Sequence, residues 1–307
     1  MLCRAAIATS LLSALLSGPM ALAGDDVVIE PVAHYPEGLY WDAETNSLFY
    51  TEMTRDRVMR LADARLEPFV VEDGCGPTAI GRAGPFMVIA CHLGGYLLVT
   101  NVYGRPQGRI RTDQNGHRVG RPNDVASDGI GVYVSDSGVF APSAPATGAV
   151  LYWQPGKVLR RLARGLRYAN GLVVDHARRR LLVSEHLARR ILAFPIEVVG
   201  RLALPTVFAN LTEVVSLTNP LAGPDGLDLG PDGRLYAAIY GAARVMVFDS
   251  DGHAVGSFVR PERYVTTVTT VGDNPYLFVA GAFDNRIFPY LGQVARVPLA
   301  SMESADR

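Results

Sequence analysis

Four short motifs along the chain place an oxygen-bearing side chain between a small or turn-forming residue and a Gly or Asp, just ahead of an apolar run. They are Pro36-Glu37-Gly38, Pro122-Asn123-Asp124, Ala169-Asn170-Gly171 and Pro224-Asp225-Gly226. Each motif opens a unit that continues into an alternating strand, which is typical of a repeat architecture. If the repeats surround an axis, their first positions point at a common place. The sequence therefore predicts a site for a hard metal cation.

The expected cofactor is one divalent cation held by side chains from three of the units. Glu37, Asn170 and Asp225 would supply two carboxylates and one amide oxygen. Oxygen ligands favour Ca²⁺ first, with Mg²⁺ and Mn²⁺ as alternatives, over ions that prefer thiolates, and Zn²⁺ could also enter such a site. Asn123 would act as a fourth contact or as an amide donor to a substrate.

Such a cation would polarise the carbonyl of a bound substrate and stabilise the tetrahedral oxyanion formed during hydrolysis. Asp225 is the candidate general base for the attacking water. Because ligation to a cation lowers the pKa of a carboxylate, this role requires one oxygen of Asp225 to remain free. Arg121 would orient the substrate through charge-assisted hydrogen bonds, with Asn123 beside it. The chemistry expected is hydrolysis at a carbonyl group.

The elements that must position these side chains are predicted to be six units, each spanning about 40 to 55 residues, as expected for four-stranded propeller blades. Apolar periodicity is two nearly throughout, and Gly, Asn, Asp and Pro interrupt the strands. We predict an all-β, six-bladed β-propeller with the metal site at the top of its central channel. Residues 27–32 are expected to pair with the last blade and close the ring. A β-sandwich with a second domain is the alternative. The units open at Glu37, Pro77, Asn123, Asn170, Asp225 and about Thr266.

Residues 1–23 have the pattern of a secretory signal peptide: one positive charge, a short apolar run, and Ala21-Leu22-Ala23 before the cleavage position. Residues 24–307 would then form a single domain, exported to the periplasm or secreted, with no membrane association after cleavage. The alternative is an apolar first helix of the fold. A formal net charge of −1 gives no indication of nucleic-acid binding.

Cys75 and Cys91 remain as an even pair after cleavage, which suits an oxidising compartment. In a hairpin that turns near Ala83 they would face each other, and we predict a cross-strand disulfide between them. Two buried free thiols are the alternative.

The motifs around Glu37, Arg121-Pro122-Asn123-Asp124, Asn170 and Asp225 together resemble those of the SMP-30, gluconolactonase and luciferin-regenerating-enzyme family, in family order. The resemblance implies a six-bladed propeller with one divalent metal that hydrolyses lactones or related esters. It also implies metal ligation by Glu37, Asn170 and Asp225, and substrate contacts from Arg121 and Asn123. Residues 138–148 depart from the sugar-lactone enzymes, so the natural substrate stays open.

A second hypothesis is a non-catalytic propeller that binds a small molecule or a protein partner around a structural cation. Arg121 discriminates between the two, because a purely structural cation needs no guanidinium beside it. We expect His92 and His186 to be solvated or locally bonded loop residues. His34, near Glu37, is the histidine for which a position at the channel mouth is an alternative. Asp136 and Glu185 would either support the site or form turns. The sequence does not predict the oligomeric state.

Overall fold

The computed structural model describes residues 25–304, which are built almost entirely from β-strands. Four short 3-10 helices interrupt them, at Met53–Arg55, His186–Ala188, Leu211–Glu213 and Leu299–Ser301. No helix within this described part of the chain is long and apolar enough to cross a membrane. The strands are β1 (Val27–His34), β2 (Pro36–Asp42), β3 (Ser47–Glu52), β4 (Arg57–Ala62), β5 (Arg65–Val71), β6 (Pro77–Ala83), β7 (Phe86–Cys91), β8 (Tyr96–Asn101), β9 (Pro106–Ile110), β10 (Pro122–Ser127), β11 (Val132–Asp136), β12 (Gly148–Trp153), β13 (Arg160–Leu166), β14 (Ala169–Asp175), β15 (Arg180–Glu185), β16 (Arg190–Val198), β17 (Arg201–Leu202), β18 (Thr206–Asn210), β19 (Gly223–Leu229), β20 (Leu235–Tyr240), β21 (Arg244–Phe248), β22 (Ala254–Val259), β23 (Tyr264–Thr270), β24 (Tyr276–Ala282), β25 (Leu291–Pro298) and β26 (Glu303–Ser304).

The strands form antiparallel sheets in which consecutive strands are neighbours. Three sheets contain β2–β5, β6–β9 and β10–β13, and a fourth contains β14, β15 and β16 with β17 and β18 at its outer edge. A nine-stranded sheet contains two further groups, β19–β22 with β26, and β23–β25 with β1, which are joined by the pair Tyr240 and Tyr264. The first strands β2, β6, β10, β14, β19 and β23 each contact the next, and β23 contacts β2. The arrangement is propeller-like.

The amino end of the described chain closes this ring. β1 pairs antiparallel with β25, placing Val27 opposite Arg296 and His34 opposite Leu291. The predicted pairing of residues 27–32 with the last group of strands is confirmed. Because an unpaired outer strand would expose its backbone N–H and C=O groups, this pairing protects one sheet edge.

The hydrophobic core lies between neighbouring sheets. Val88 and Leu97 from one sheet pack in a common cluster with Val134 and Leu151 from the next, and all four are at most 1% exposed. Both faces of these inner strands are covered, so their sequences read as apolar runs and not as strict alternation. Full burial of each such side chain stabilises the fold by roughly 1.5–3 kcal/mol.

The predicted disulfide between Cys75 and Cys91 is present, but the predicted register was wrong. Cys91 ends β7 and lies opposite Pro77, whereas Cys75 precedes β6 in the connecting turn. The hairpin turns between Ala83 and Phe86, slightly later than expected. The bond therefore ties a strand end to the turn that leads into its own hairpin.

A recurring carboxylate fixes the segment that leads into several first strands. Glu52, Asp136 and Glu185 end the second strands β3, β11 and β15. They accept hydrogen bonds from the backbone N–H groups of His34, Arg121 and Arg167, at 2.7–2.8 Å. Each carboxylate also pairs with an arginine. Asp136 and Glu185 were expected either to support the site or to form turns. Their contacts anchor the backbone next to the site, which agrees with the first alternative.

Candidate active site

A β-bulge at the same position of four first strands presents the predicted site residues. The strand register shifts between Pro36 and Leu39 in β2, and at the equivalent positions of β10, β14 and β19. Glu37, Asn123, Asn170 and Asp225 lie within these shifts, inside the strands and not in turns before them. A bulge re-aims the side chain at its position, which explains how residues of a hydrogen-bonded strand can face the channel.

Close approach between neighbouring first strands explains the glycine that follows in three of the four motifs. A Cβ on Gly38 would lie 2.3 Å from the carbonyl oxygen of Thr78, and one on Gly171 would lie 2.1 Å from that of Asp225. Both distances are far inside van der Waals contact. Glycine is needed at Gly171 because the strand carrying Asp225 passes directly against it.

Buried hydroxyl groups tie these strands to one another at the level of the site. The Ser184 hydroxyl donates to the carbonyl oxygen of Asp225 at 2.7 Å, and the Thr78 hydroxyl donates to that of Asn123 at 2.7 Å. Ser137 donates to the carbonyl of Ala169, the residue before Asn170, at 2.8 Å. These bonds fix the backbone that carries three of the candidate residues.

One cavity of about 190 Å³ collects the residues presented in this way. Glu37, Asn123, Asn170 and Asp225 all line it, although they are far apart in the sequence. Asn123, Asn170 and Asp225 are at most 7% exposed. The remaining lining residues are Tyr35, Met53, Thr78, His92, Phe140, Tyr168, His186 and Tyr240.

Arg121 lies outside this lining set and its side chain is exposed. Its backbone is held by Asp136, and its carbonyl accepts from Ser137 at 2.9 Å. Burial is the main cause that lowers the pKa of His92, and the charge of Arg121 lowers it further. His34 is also absent from the lining set, and its backbone N–H is bound by Glu52.

The two carboxylates in the cavity are held in an environment that disfavours their charge. Desolvation by the surrounding protein raises the pKa of Glu37 to about 8, although a hydrogen bond from Tyr35 acts in the opposite direction. Burial also raises the pKa of Asp225 well above its ordinary value, and the charges of Glu37 and Asp124 raise it further. A hydrogen bond from Asn170 is the opposing effect on Asp225.

His92 and His186 are locally bonded, which is one of the two expected alternatives, but they are buried and not solvated. They are 6% and 1% exposed and both line the cavity. Burial is the main cause that lowers the pKa of each ring to about 4, so both rings are neutral at pH 7. His92 Nδ1 is 3.2 Å from the carbonyl oxygen of Pro122, which can only accept a hydrogen bond. His186 Nε2 is 2.9 Å from the carbonyl oxygen of Leu221.

A repeated backbone contact explains which residues the sequence reasoning missed. The residue after each of three second strands, Met53, His92 and His186, donates its N–H to the residue just before the first strand of the same sheet. Two of those acceptors, Tyr35 and Tyr168, have left-handed backbones with φ of 50° and 63°. Apart from the third acceptor, Gly76, all of these residues line the cavity. Because these residues hold the same position relative to their strands, the period of the repeat could have identified them in the sequence as candidate site residues.

Aromatic rings form one wall of the cavity. The Phe140 ring centroid lies 4.8 Å from that of Tyr168, 5.3 Å from that of His186 and 6.0 Å from that of Tyr240. The loop carrying Phe140 is held by Arg167, whose guanidinium donates to the carbonyl of Pro142 at 2.8 Å. Residues 138–148, expected to influence substrate choice, therefore place a ring at the cavity.

The polar groups that line the cavity are carboxylates, amides and hydroxyls, together with the imidazoles of His92 and His186. In residues 25–304 no group of three or more His, Cys, Asp or Glu side chains is arranged to hold a metal ion. The cavity instead combines the two carboxylates of Glu37 and Asp225 with the amides of Asn123 and Asn170. Among the described residues that line the cavity there is no Lys or Arg, so neither carboxylate has a cationic partner in the lining.

Comparisons with known proteins identify one family. The SMP-30/Gluconolactonase/LRE-like region matches residues 35–282. The chain is 24% identical over 243 residues to "Lactonase drp35" of Staphylococcus aureus (strain MW2), covering 74% of this chain and 70% of that protein. It is 25% identical over 236 residues to the protein of the same name from Staphylococcus haemolyticus, with the same shares covered.

Two solved structures share the fold. A luciferin-regenerating enzyme superposes with a TM-score of 0.74 at 18% identity, covering 91% of this chain and 97% of the other. A gluconolactonase from Xanthomonas campestris superposes with a TM-score of 0.71 at 21% identity, covering 90% and 91%. With the family region matching most of the chain, this protein belongs to the SMP-30/gluconolactonase/LRE-like family.

Proposed function

We propose that the protein is a divalent-metal-dependent hydrolase that opens a lactone or a related ester, built on a six-bladed β-propeller. The observation that carries the proposal is the convergence of Glu37, Asn123, Asn170 and Asp225 on one cavity from four different first strands. The six first strands that contact each other in a ring support the blade number. The lactonases and the gluconolactonase to which the chain is similar support the reaction class.

The residues present suit a hard divalent cation. Glu37 and Asp225 are two carboxylates whose pKa values are raised by burial, and the charge of Glu37 further raises the pKa of Asp225. With no cationic side chain lining the cavity, a bound cation would offset this charge. Glu37, Asn170 and Asp225 would hold the ion. Their oxygen ligands favour Ca²⁺, with Mg²⁺, Mn²⁺ and Zn²⁺ as alternatives.

When bound, the cation would supply Lewis-acid polarisation of the carbonyl to be attacked. Asp225 would accept a proton from the attacking water while the water oxygen forms a bond to the carbonyl carbon. That proton would then pass to the ring oxygen of the lactone as the acyl–oxygen bond breaks. This role needs a carboxylate oxygen that is not a ligand. Asn123 would donate an amide hydrogen bond to the substrate, and Arg121 would orient a polar substituent at the mouth.

The cavity favours a compact substrate. Its volume of about 190 Å³ is below the roughly 300–1,000 Å³ typical of sites for drug-sized ligands. Phe140, Tyr168 and Tyr240 supply an aromatic wall of mutually inclined rings against which a small ring can pack. A single lactone ring fits these properties better than an extended ester chain does.

We also propose that the protein is exported to the periplasm or secreted. The pattern of residues 1–23, which lie outside the described residues, and the Cys75–Cys91 disulfide support this. The alternative function, a binding propeller with a structural cation, is favoured by the exposed position of Arg121 outside the cavity lining.

The test is hydrolysis of small aliphatic, aromatic and sugar lactones by protein treated with chelator and then resupplied with Ca²⁺, Mn²⁺ or Zn²⁺. Asp225→Asn should lose at least about 100-fold in kcat/KM, since proton transfer by a positioned base contributes roughly 10²–10⁴-fold. Asp232→Asn is the matched control, because Asp232 also precedes a glycine but lies in an exposed turn. Turnover that survives both chelation and Asp225→Asn would refute the proposed mechanism. Lower melting temperature on chelation with no lactone hydrolysed would favour the binding propeller.

A further inference from the structure

His186 links the cavity to the loop that follows β18. Its ring is buried between Asn170 and the backbone of Leu221, with Nδ1 3.1 Å from Asn170 Nδ2 and Nε2 2.9 Å from the Leu221 carbonyl oxygen. The rings of Phe140, Tyr168 and Tyr240 surround it at centroid distances of 5.3–5.8 Å. The backbone also closes over it, since a Cβ on Gly223 would lie 2.2 Å from the carbonyl oxygen of His186. The ring therefore has little freedom to reorient.

The two hydrogen bonds determine where each proton lies. The carbonyl of Leu221 can only accept, so Nε2 of His186 must carry a hydrogen. Asn170 Nδ2 is the atom that faces Nδ1, and an amide nitrogen can only donate, so Nδ1 is the acceptor. The two contacts together correspond to the tautomer with hydrogen on Nε2 and a lone pair on Nδ1.

The hydrogen bond to His186 leaves the other end of the Asn170 amide for the cavity. Because Nδ2 faces His186, Oδ1 is the atom left for a ligand in the cavity that Asp225 also lines. If the amide were reversed, its N–H groups would face a bound cation and its oxygen would face the lone pair of His186. Both contacts would be repulsive.

We propose that His186 is a positioning residue: through its bond to Asn170 it fixes the amide so that Oδ1 faces the cation site. The inference rests on the proposed function, because it requires that a cation binds among Glu37, Asn170 and Asp225. His186 itself does not touch the cation or the substrate in this scheme. Its partner on the other side, the Leu221 carbonyl, holds the tautomer and so transmits the conformation of that loop to the site.

The experiment is calorimetric titration of chelator-treated protein with Ca²⁺ and Mn²⁺, without substrate. His186→Phe keeps an aromatic ring among its neighbours and removes both nitrogens, and we expect the cation affinity to fall about 10- to 100-fold. His186→Gln should stay within about threefold of wild type, because its amide can both accept from Asn170 and donate to Leu221. His186→Leu provides the same test as His186→Phe if the latter does not fold.

An Asn170→Asp background separates positioning from general support of the fold. A carboxylate has two equivalent oxygens, so its orientation needs no partner, and adding His186→Phe should not lower the cation affinity of Asn170→Asp any further. Equal affinity of wild type and His186→Phe would overturn the inference, as would an equal loss of affinity in the two backgrounds. Both results leave the proposed function standing. If wild type bound neither cation, the proposed function and this inference would both be overturned.

Discussion

The charge state of Glu37 should make the cation-free protein less stable as the pH rises. The carboxyl group has an ordinary pKa of 4.5, and desolvation by the surrounding protein raises it to about 8 in the folded state. Because the folded pKa lies above the unfolded one, the folded protein holds a proton that the unfolded chain has released. The resulting stabilisation is complete below pH 4.5 and is lost as the pH rises through about 8.

The size of the effect follows from these two pKa values. Between pH 6 and pH 8 the unfolding free energy should fall by about 2 kcal/mol from Glu37 alone. For a domain of this size such a loss corresponds to a melting temperature lower by roughly 4 °C. Asp225, whose pKa is also raised by burial and by the charge of Glu37, should change stability in the same direction.

Thermal unfolding in chelator at pH 6 and pH 8 measures this effect, with Glu37→Gln as the perturbation. The glutamine has the same shape and no charge, so its melting temperature should change with pH by roughly 4 °C less than that of wild type. Glu67→Gln, at an exposed position of β5, is the control and should behave as wild type does. If wild type and Glu37→Gln lost stability in parallel as the pH rises, the account of a desolvated carboxylate in the cavity would be refuted.

Three further outcomes test the packing that positions the site. Tyr50→Phe should raise the unfolding free energy by about 1 kcal/mol in denaturant titration, because the buried Tyr50 hydroxyl has no hydrogen-bond partner within residues 25–304. A loss of stability would show that the hydroxyl has a partner. Reduction of the Cys75–Cys91 disulfide, whose cysteines are 16 residues apart, should lower the unfolding free energy by about 3 kcal/mol in the same assay, because the bond restricts the entropy of the unfolded chain. An unchanged denaturation midpoint would contradict this argument. Gly171→Ala places a Cβ against the Asp225 carbonyl and should lower the unfolding free energy by about 1–3 kcal/mol and weaken cation binding. Gly108→Ala, where a Cβ meets open space, should do neither. Equal effects of the two substitutions would contradict the close-approach argument.

Much of the fold was predictable from the sequence because each first strand opens with a recognisable motif. The predicted unit starts fall within about two residues of the observed first strands β2, β6, β10, β14, β19 and β23. The family membership and the disulfide were also predictable. The bulges were not, because an Asp-Gly or Asn-Gly pair reads as a turn in sequence. Only the strand register shows that Asn170 and Asp225 lie inside paired strands.

The candidate site was predictable where symmetry alone places a residue, and not where a loop does. Glu37, Asn170 and Asp225 come together because they share one position of the repeat. Phe140 reaches the cavity from a long loop whose path depends on contacts such as the one from Arg167 to Pro142. His186 was underestimated because its burial comes from Phe140, Tyr168 and Tyr240, which lie in three different segments.

The central claim is that Glu37, Asn170 and Asp225 gather around a shared cation. Diffraction at the manganese absorption edge from crystals equilibrated with Mn²⁺ tests it most directly. We expect one strong anomalous peak within about 3 Å of a carboxylate oxygen of Glu37, a carboxylate oxygen of Asp225 and Oδ1 of Asn170. A fully bound ion elsewhere in the molecule, with no peak among these three side chains, would contradict the account.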